Sequence, residues 1–411
     1  MNEYTDATAV SDVSQRMLLR DGFVVVKEVV PPAQLDALRT AFETIVGRQR
    51  EQWRRERKPA DPPEGVWEIG AQPRVSGFDR HVHDAETAIA VEWCLDAEHG
   101  PLTVSRRIME APDVAPTAYM LMCSPQADHG PAAWHRDIHP IDQAPLCALE
   151  QDLFANGPGY LQWNIGLYDD DVLWVVPGSH RRPNNEDENE QLRRDNRAPL
   201  PGGQQVRLKA GDGVAYTNTI LHWGSNYSRK LRRTVHLGYR SLGGQLFPYV
   251  PGLHRGGDAT PHLQPAYQEL VARHRQLYLA ECDRVEALYR AMIECDGERF
   301  VAELDALHPG EESRIVTLII LSKMSHKLQH GDHPHRPGYC SDWTQEPELS
   351  PRFSQQEREQ LWRRFAWLDS QLQTKEERFT PGFQSGPMHY YFEELPEHLT
   401  AEAVIANWND G

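Results

Sequence analysis

Two short stretches, far apart in the chain, constrain its fold most, because their chemistry is complete only if folding brings them together. The first is Pro131-Ala132-Ala133-Trp134-His135-Arg136-Asp137-Ile138-His139-Pro140. Residues two apart on a β-strand share a face, so His135 and Asp137 project together and Arg136 turns aside. A neutral imidazole beside a carboxylate is two-thirds of the 2-His-1-carboxylate set that holds non-haem Fe(II) and leaves positions open. Alone this is a weak signal, since 19 histidines and 60 acidic residues produce H-x-D triplets by chance. The second stretch runs from Ala210-Gly211-Asp212-Gly213 to Leu221-His222-Trp223-Gly224-Ser225-Asn226-Tyr227-Ser228. A Gly-Asp-Gly turn feeds a short apolar strand that ends at His222, followed by small and polar turn residues. His135, Asp137 and His222 are therefore the candidate metal ligands and catalytic centre.

After His222 comes Arg229-Lys230-Leu231-Arg232-Arg233-Thr234-Val235-His236-Leu237-Gly238-Tyr239-Arg240, a β-like run. Period-two alternation puts Arg232, Thr234 and His236 on one face and Arg233, Val235, Leu237 and Tyr239 on the other. A guanidinium on the polar face suits a dicarboxylate, held by a bidentate, charge-assisted pair.

The order of these features, with Val176-Pro177-Gly178-Ser179-His180 between the two stretches, resembles the phytanoyl-CoA dioxygenase family of Fe(II)/2-oxoglutarate oxygenases. The opening Arg20-Asp21-Gly22-Phe23-Val24-Val25-Val26, followed by Leu35-Asp36-Ala37-Leu38-Arg39, resembles that family's N-terminal strand and helix. The likeness spans roughly residues 15 to 245. It implies an α+β fold with a double-stranded β-helix (jelly-roll) core and flanking helices, and Fe(II) on His135, Asp137 and His222. It further implies 2-oxoglutarate as cosubstrate, O2 as oxidant and ascorbate as an optional addition in vitro. The family's usual spacing after the distal histidine selects Arg233 for the cosubstrate. Here H-W-G-S-N is one residue shorter than the common form, so counting from Asn226 selects Arg232, and strand alternation agrees with Arg232. In Leu161-Gln162-Trp163-Asn164-Ile165, Gln162 and Asn164 share a face that by resemblance lines the cosubstrate pocket. Asn164 is then a donor to 2-oxoglutarate; an amide satisfying backbone groups is the competing reading. Hydroxylation of a small molecule is the default outcome, with desaturation, cyclisation and epimerisation open to the same centre. Family members that halogenate lack the carboxylate ligand, so Asp137 disfavours halogenation. Two other classes compete: a non-catalytic jelly-roll binding protein, and an iron oxygenase that uses no 2-oxoglutarate.

The chain's 411 residues allow one barrel plus an addition, which divides it into residues 1–254 and a mainly helical extension, 255–411. A hydrophobic fraction of 39% excludes disorder throughout. A net charge of -17 argues against nucleic acid or an anionic membrane as main partner and leaves a small molecule. No apolar run approaches the roughly 18 residues of a membrane span, and Met1-Asn2-Glu3-Tyr4 opens no signal peptide, which points to the cytoplasm. Six cysteines without a C-x-x-C pair read as reduced structural thiols.

Lesser features complete the reading. Residues 1–15 are polar and expected to fray. Leu35, Leu38, Phe42 and Val46 form a buried helical stripe, and the Arg48–Lys58 basic run reads as that helix's solvated continuation. His81 and His83 lack a third ligand. Residues 181–205 are charged and turn-rich, suited to a mobile excursion that closes over substrate. Pro251, Gly252, Gly256 and Gly257 form a linker. Beyond it, Ile315–Leu321 is expected to be buried. His326 and His330 have zinc-binding helical spacing but no H-E-x-x-H glutamate. The extension is expected to shape access to the site or to build a homo-oligomer, with an outer cap as the alternative.

Overall fold

In the computed structural model, the described residues are 2–4, 7–61, 69–138, 144–242, 252–254, 259–307, 311–330, 348–383 and 388–408. The β-branched and aromatic segments of the front half form ten strands: β1 (Asn2–Tyr4), β2 (Phe23–Val26), β3 (Arg74–Ser76), β4 (Val114–Cys123), β5 (Tyr160–Gly166), β6 (Leu173–Val175), β7 (Gln204–Val206), β8 (Gly213–Tyr216), β9 (His222–Gly224) and β10 (Arg233–Ser241). They build a six-stranded antiparallel sheet, ordered β2-β8-β5-β10-β4-β3, and a four-stranded sheet, ordered β1-β7-β6-β9. Phe23, Val25, Val214 and Tyr216 of the large sheet share one apolar cluster with Leu173, Val175, Val206 and Leu208, so the two sheets pack face to face. The large sheet's other face carries Val24, Tyr119, Leu121, Val235, Leu237 and Tyr239. These pack against the helices Pro32–Glu56, Ala85–Leu95 and Pro101–Met109. The chain is thus a mixed α/β protein with a helix-covered outer face and an inner face between sheets.

Three local expectations are corrected. Residues 2–4 do not fray: they pair in parallel with β7, and Thr8 bridges to Val26. The apolar strand after Gly-Asp-Gly stops at Tyr216, and His222 opens the next strand rather than closing the first. Residues 181–205 are no loose excursion, because Asn185 and Glu188 form a reciprocal capping box that starts a helix, Glu186–Arg194. That helix buries Glu188 and Leu192.

The helix Gln15–Asp21 ends on Gly22, whose φ of 84° supplies the left-handed C-cap. A Cβ there would lie 2.6 Å from His180 Nδ1. His180 therefore packs directly on this turn, donating from Nε2 to the Leu19 carbonyl at 2.9 Å and leaving Nδ1 buried without a hydrogen-bond partner. Burial pushes its pKa down to about 4.

The extension contributes the helices Pro265–Ile293, Gly297–Leu307, Glu311–His330, Gln355–Leu372 and Ala401–Asn407, with a small hairpin, Gln373–Arg378 and Met388–Tyr390. Their core of Leu288, Phe300, Leu318, Phe365 and Trp408 also takes in Ile138, Ala144, Leu146 and Ala148 from the front half. Val316, Leu318, Ile319 and Leu321 are buried as the composition implies. A buried Arg240–Glu281 pair, at 2.8 Å from Nη1, and Arg273–Asp113, at 2.8 Å, fasten the long helix to the sheet domain. Pro251, Gly256, Gly257 and Cys340 lie outside the described residues.

Two outcomes follow from this packing. Truncation after His254 uncovers Ile138 and Leu146, where each large apolar side chain loses about 1.5–3 kcal/mol of burial. We expect aggregation or lost near-ultraviolet dichroism, and a monodisperse fragment with the native melting temperature would contradict it. The His180 imidazole has a folded pKa below its unfolded value, so the unfolded chain binds the proton first. Stability is therefore present above about pH 6.5 and is lost as pH falls toward 4. Chemical denaturation at pH 7 and pH 5 should show a smaller difference for His180→Leu than for the wild type.

Candidate metal centre and active site

The two halves of the sequence constellation meet through backbone. His135 and His222 form an antiparallel bridge in which each N–H donates to the other's carbonyl at 2.9 Å. Asp137 N–H donates to the Asn218 carbonyl at 2.9 Å, which holds the third donor on the same edge. One ligating atom from each of His135, Asp137 and His222 lies within 4.8 Å of the others. The Nε2 atoms of His135 and His222 stand 3.6 and 3.4 Å from the two Asp137 oxygens. Among the described residues this is the sole three-member group of potential ligands so gathered.

The histidine tautomers follow from their partners. His135 Nδ1 faces the Ala133 carbonyl at 2.9 Å and His222 Nδ1 faces the Ile220 carbonyl at 3.0 Å. A carbonyl only accepts, so each Nδ1 carries a proton, which leaves Nε2, the atom facing Asp137, as the ring nitrogen available to a metal ion. Burial, followed by the neighbouring His222, pushes the His135 pKa down to about 4. Burial alone would raise the Asp137 carboxyl, but His222, His135 and a 2.9 Å hydrogen bond from Gln162 Nε2 hold it well below the usual carboxylate range. Burial likewise opposes the charged form of His222, and Asp137 overcomes it to raise that pKa.

Tryptophans back the two ligand strands. Alternation that aims the imidazoles inward aims Trp134 and Trp223 outward, where their rings stack at 5.2 Å. Trp134 Nε1 donates to Ala198 O and Trp223 Nε1 to Ala132 O, both at 2.8 Å. Arg136, between the ligands, is completely buried. It donates from Nη1 to Ser179 O at 2.6 Å and Thr219 O at 2.5 Å, and from Nη2 to Asn184 Oδ1 at 2.8 Å. Its backbone N–H donates to Gly382 O at 2.7 Å, laying the extension against the metal strand. Burial pulls the guanidinium pKa to about 10.

Beside Gln162 on the inner face of β5, Asn164 accepts at Oδ1 from His236 Nδ1 at 2.8 Å. Burial pushes His236 to about 4, which makes it a neutral imidazole at pH 7. The two arginines diverge. Arg232 points to the inner side, where its Nε bonds Asp170 Oδ2 at 2.7 Å and Thr234 Oγ1 donates to the same carboxylate. The Arg232 Nη atoms make no hydrogen bond among the described residues. Arg233 lies on the opposite face and pairs through Nε with Glu43 Oε1 at 2.7 Å, under the helix Pro32–Glu56.

Sequence reasoning did not single out His236, Arg136 or Asp170 as site residues. Alternation carried a signal for His236 alone, through its shared face with Arg232 and Thr234. The other histidine patterns are accounted for by packing. His81 Nε2 contacts Gln49 Oε1 at 2.9 Å, while His326 and His330 set their rings edge-on to Trp362 at 4.7 and 5.6 Å.

Residues 18–234 match the phytanoyl-CoA dioxygenase (PhyH) family, and the chain belongs to that family. No curated protein matches the sequence. Among solved structures, the non-haem α-ketoglutarate-dependent carbocyclase SnoK from nogalamycin biosynthesis is 17% identical, with a TM-score of 0.40 over 61% of this chain and 92% of its own. EctD from S. alaskensis, solved with 2-oxoglutarate and 5-hydroxyectoine, is 18% identical, with a TM-score of 0.38 over 60% and 81%. AviO1 from Streptomyces viridochromogenes Tue57 is 22% identical, with a TM-score of 0.35 over 56% and 93%. No helix among the described residues is long and apolar enough to cross a membrane.

Replacing His135, Asp137 or His222 by Ala removes a donor at a strand end and little core volume. Each variant should keep the wild-type far-ultraviolet spectrum while anaerobic Fe(II) binding weakens at least about tenfold, as for loss of a metal-site group. Unchanged iron affinity in any of the three would remove that residue from the ligand set.

Proposed function

We propose that this protein is an Fe(II)/2-oxoglutarate-dependent oxygenase with a jelly-roll core that oxidises an unactivated C–H bond of a small-molecule metabolite, hydroxylation being the leading outcome. The observation that carries this reading is the donor set itself: two imidazoles whose Nδ1 atoms are held by backbone carbonyls, with their Nε2 atoms converging on a carboxylate from separate stretches of chain. Soft thiolates are absent from the group, and its nitrogen and oxygen donors fit a ferrous ion. Bound there, iron would couple decarboxylation of 2-oxoglutarate by O2, giving succinate and CO2, to oxidation of the substrate.

The chain's own residues divide the remaining work. Gln162 fixes the rotation of the Asp137 carboxylate through Oδ2. Asp170 fixes Arg232 through Nε and leaves the two Nη groups for the distal carboxylate of the cosubstrate. His236 orients the Asn164 amide by donating to its oxygen, which turns the amide N–H2 away as a donor for the cosubstrate. Arg233 serves a different purpose, clamping the strand to the outer helix through Glu43. The intact donor set speaks against a non-catalytic binding protein, and the inward Arg232 speaks against an oxygenase without a dicarboxylate cosubstrate. Desaturation, cyclisation and epimerisation would call on the same residues.

The test is succinate release by the Fe(II)-loaded protein with 2-oxoglutarate and O2, paired with anaerobic 2-oxoglutarate titrations. Arg232→Gln should weaken 2-oxoglutarate binding about tenfold or more, the scale of one or two charge-assisted hydrogen bonds. Arg233→Gln should leave that affinity within about twofold and lower stability by about 1 kcal/mol, as for a partly exposed ion pair. Because Arg232→Gln strands a buried carboxylate, the double change with Asp170→Asn controls for folding. The reverse pattern, with Arg233 governing affinity, would overturn the assignment.

A further inference from the structure

The inner face of the large sheet continues past the cosubstrate residues to an edge that the proposed chemistry does not use. Strand register defines this surface. Asn164, His236, Met120 and Ser76 stand opposite one another across β5, β10, β4 and β3. In the neighbouring row Thr234, Met122 and Arg74 are aligned in the same way. Paired residues of antiparallel strands project to one side, and so do residues two apart. Arg74 therefore lies on the same face as Asn164 and His236, on the outermost strand.

Burial shows that this part of the face is open. Along β4, Tyr119, Leu121 and Cys123 are buried under the helices, whereas the alternate residues Ala118, Met120 and Met122 are half-exposed. His236 is half-exposed and Arg74 is exposed. Two thioethers with an imidazole beside them make an apolar, adaptable floor next to the metal ligands. Gln162, two residues from Asn164 on this face, hydrogen-bonds Asp137 and so sets the metal ligands beside the floor.

Among the described residues no carboxylate lies within ion-pair distance of Arg74, whose side chain bonds a neutral amide. One Nη group donates to Gln72 Oε1, and the Gln72 amide in turn donates to the Tyr227 hydroxyl. The amide thus orients a guanidinium without neutralising it. Arg232 and Arg233, two strands away at the start of β10, each hold a carboxylate. An uncompensated, oriented arginine at the rim of an apolar floor is a receptor for an anion attached to an apolar body.

We propose that the substrate is an amphipathic carboxylic acid, whose carboxylate pairs with Arg74 while its apolar body lies over Met120 and Met122 toward His135. A monoanion fits better than a phosphate monoester, because a single guanidinium with one Nη already engaged offers too few donors for a dianion. This rests on the oxygenase reading for the identity of the neighbouring metal and cosubstrate. It assigns Arg74 to substrate binding, separately from Arg232.

The experiment is calorimetric binding to the full chain loaded with Zn(II), as a redox-silent stand-in for iron, and saturated with 2-oxoglutarate. The probes are medium-chain linear, cyclic and aromatic carboxylates, each with its carboxamide and the corresponding alkyl or aryl phosphate. The wild type should bind the best carboxylates about tenfold tighter than their amides, the scale of one charge-assisted hydrogen bond. Arg74→Gln should erase that preference and Arg74→Lys should retain part of it. Arg80→Gln, which removes another exposed arginine, should leave it intact. The proposal is overturned if no acid binds the wild type, if acid and amide bind alike, if phosphates are preferred, or if Arg74→Gln keeps the preference. It is also overturned if Arg74→Gln weakens 2-oxoglutarate as much as Arg232→Gln does, since Arg74 would then belong to the cosubstrate. Failure of the oxygenase reading would appear instead as absent succinate release by the iron-loaded wild type, whatever the acid selectivity.

Discussion

The reciprocal hydrogen bonds between His135 and His222 are the constraint on which the centre depends. A metal site assembled from two distant stretches needs register as well as proximity, because sliding one strand by a residue would turn an imidazole to the wrong face. Here the two ligands are themselves the bonded pair, so the backbone that sets the register also sets the ligand spacing. The neighbouring tryptophans reinforce it from behind. Shifting either strand would break the stack of Trp134 on Trp223 and both indole hydrogen bonds.

Arg136 extends this constraint to parts of the chain that never touch a ligand. A buried guanidinium without acceptors would cost several kcal/mol. Its two Nη groups are instead engaged by the carbonyls of Ser179 and Thr219 and by the Asn184 side chain, drawn from the 179–184 segment and the turn before His222. Asn184 also reaches Pro381 O at 2.7 Å, and Phe383 bridges to Arg136. The extension is therefore continuous with the metal strand through backbone and side-chain bonds. It also shares a hydrophobic core with Ile138, immediately after the H-x-D. Coupling between the extension and the centre has a short physical route, since only Arg136 separates Gly382 from the two ligands that flank it.

The legible parts of the sequence were those where alternation and chemistry agree. Period two on Arg232–Tyr239 sorted the polar inner residues from the apolar outer ones, and the same rule put Gln162 and Asn164 on one face. What alternation does not reveal is which side-chain partners meet. Nothing local to Asp170 marks it as the carboxylate that orients Arg232, because the two are distant in sequence and only the sheet packing joins them. The charged run after Pro183 looked mobile by composition. Its Asn185–Glu188 capping box is a helix-start signal that composition obscures, and burial of Glu188 beside Arg182 and Leu192 stabilises the helix. The Asn2–Tyr4 strand was illegible for a related reason, since its pairing partner at Gln204–Val206 lies far downstream.

Three arginines near the open face show how environment separates roles that residue type leaves equal. Arg232 pairs with buried Asp170, so its charge is largely balanced and its remaining donors act through geometry. Arg233 is turned outward to Glu43, where it joins sheet to helix. Arg74, exposed on the edge strand, bonds a neutral amide and, among the described residues, no carboxylate. An ion-paired arginine can select a dicarboxylate by shape with little cost in lost hydration. An unpaired one adds long-range attraction for anions, which matters for a chain whose net charge of -17 otherwise repels them. In the proposed reading the inner face thus combines a site that would orient an anion with a rim that would attract one, on either side of the candidate metal ligands.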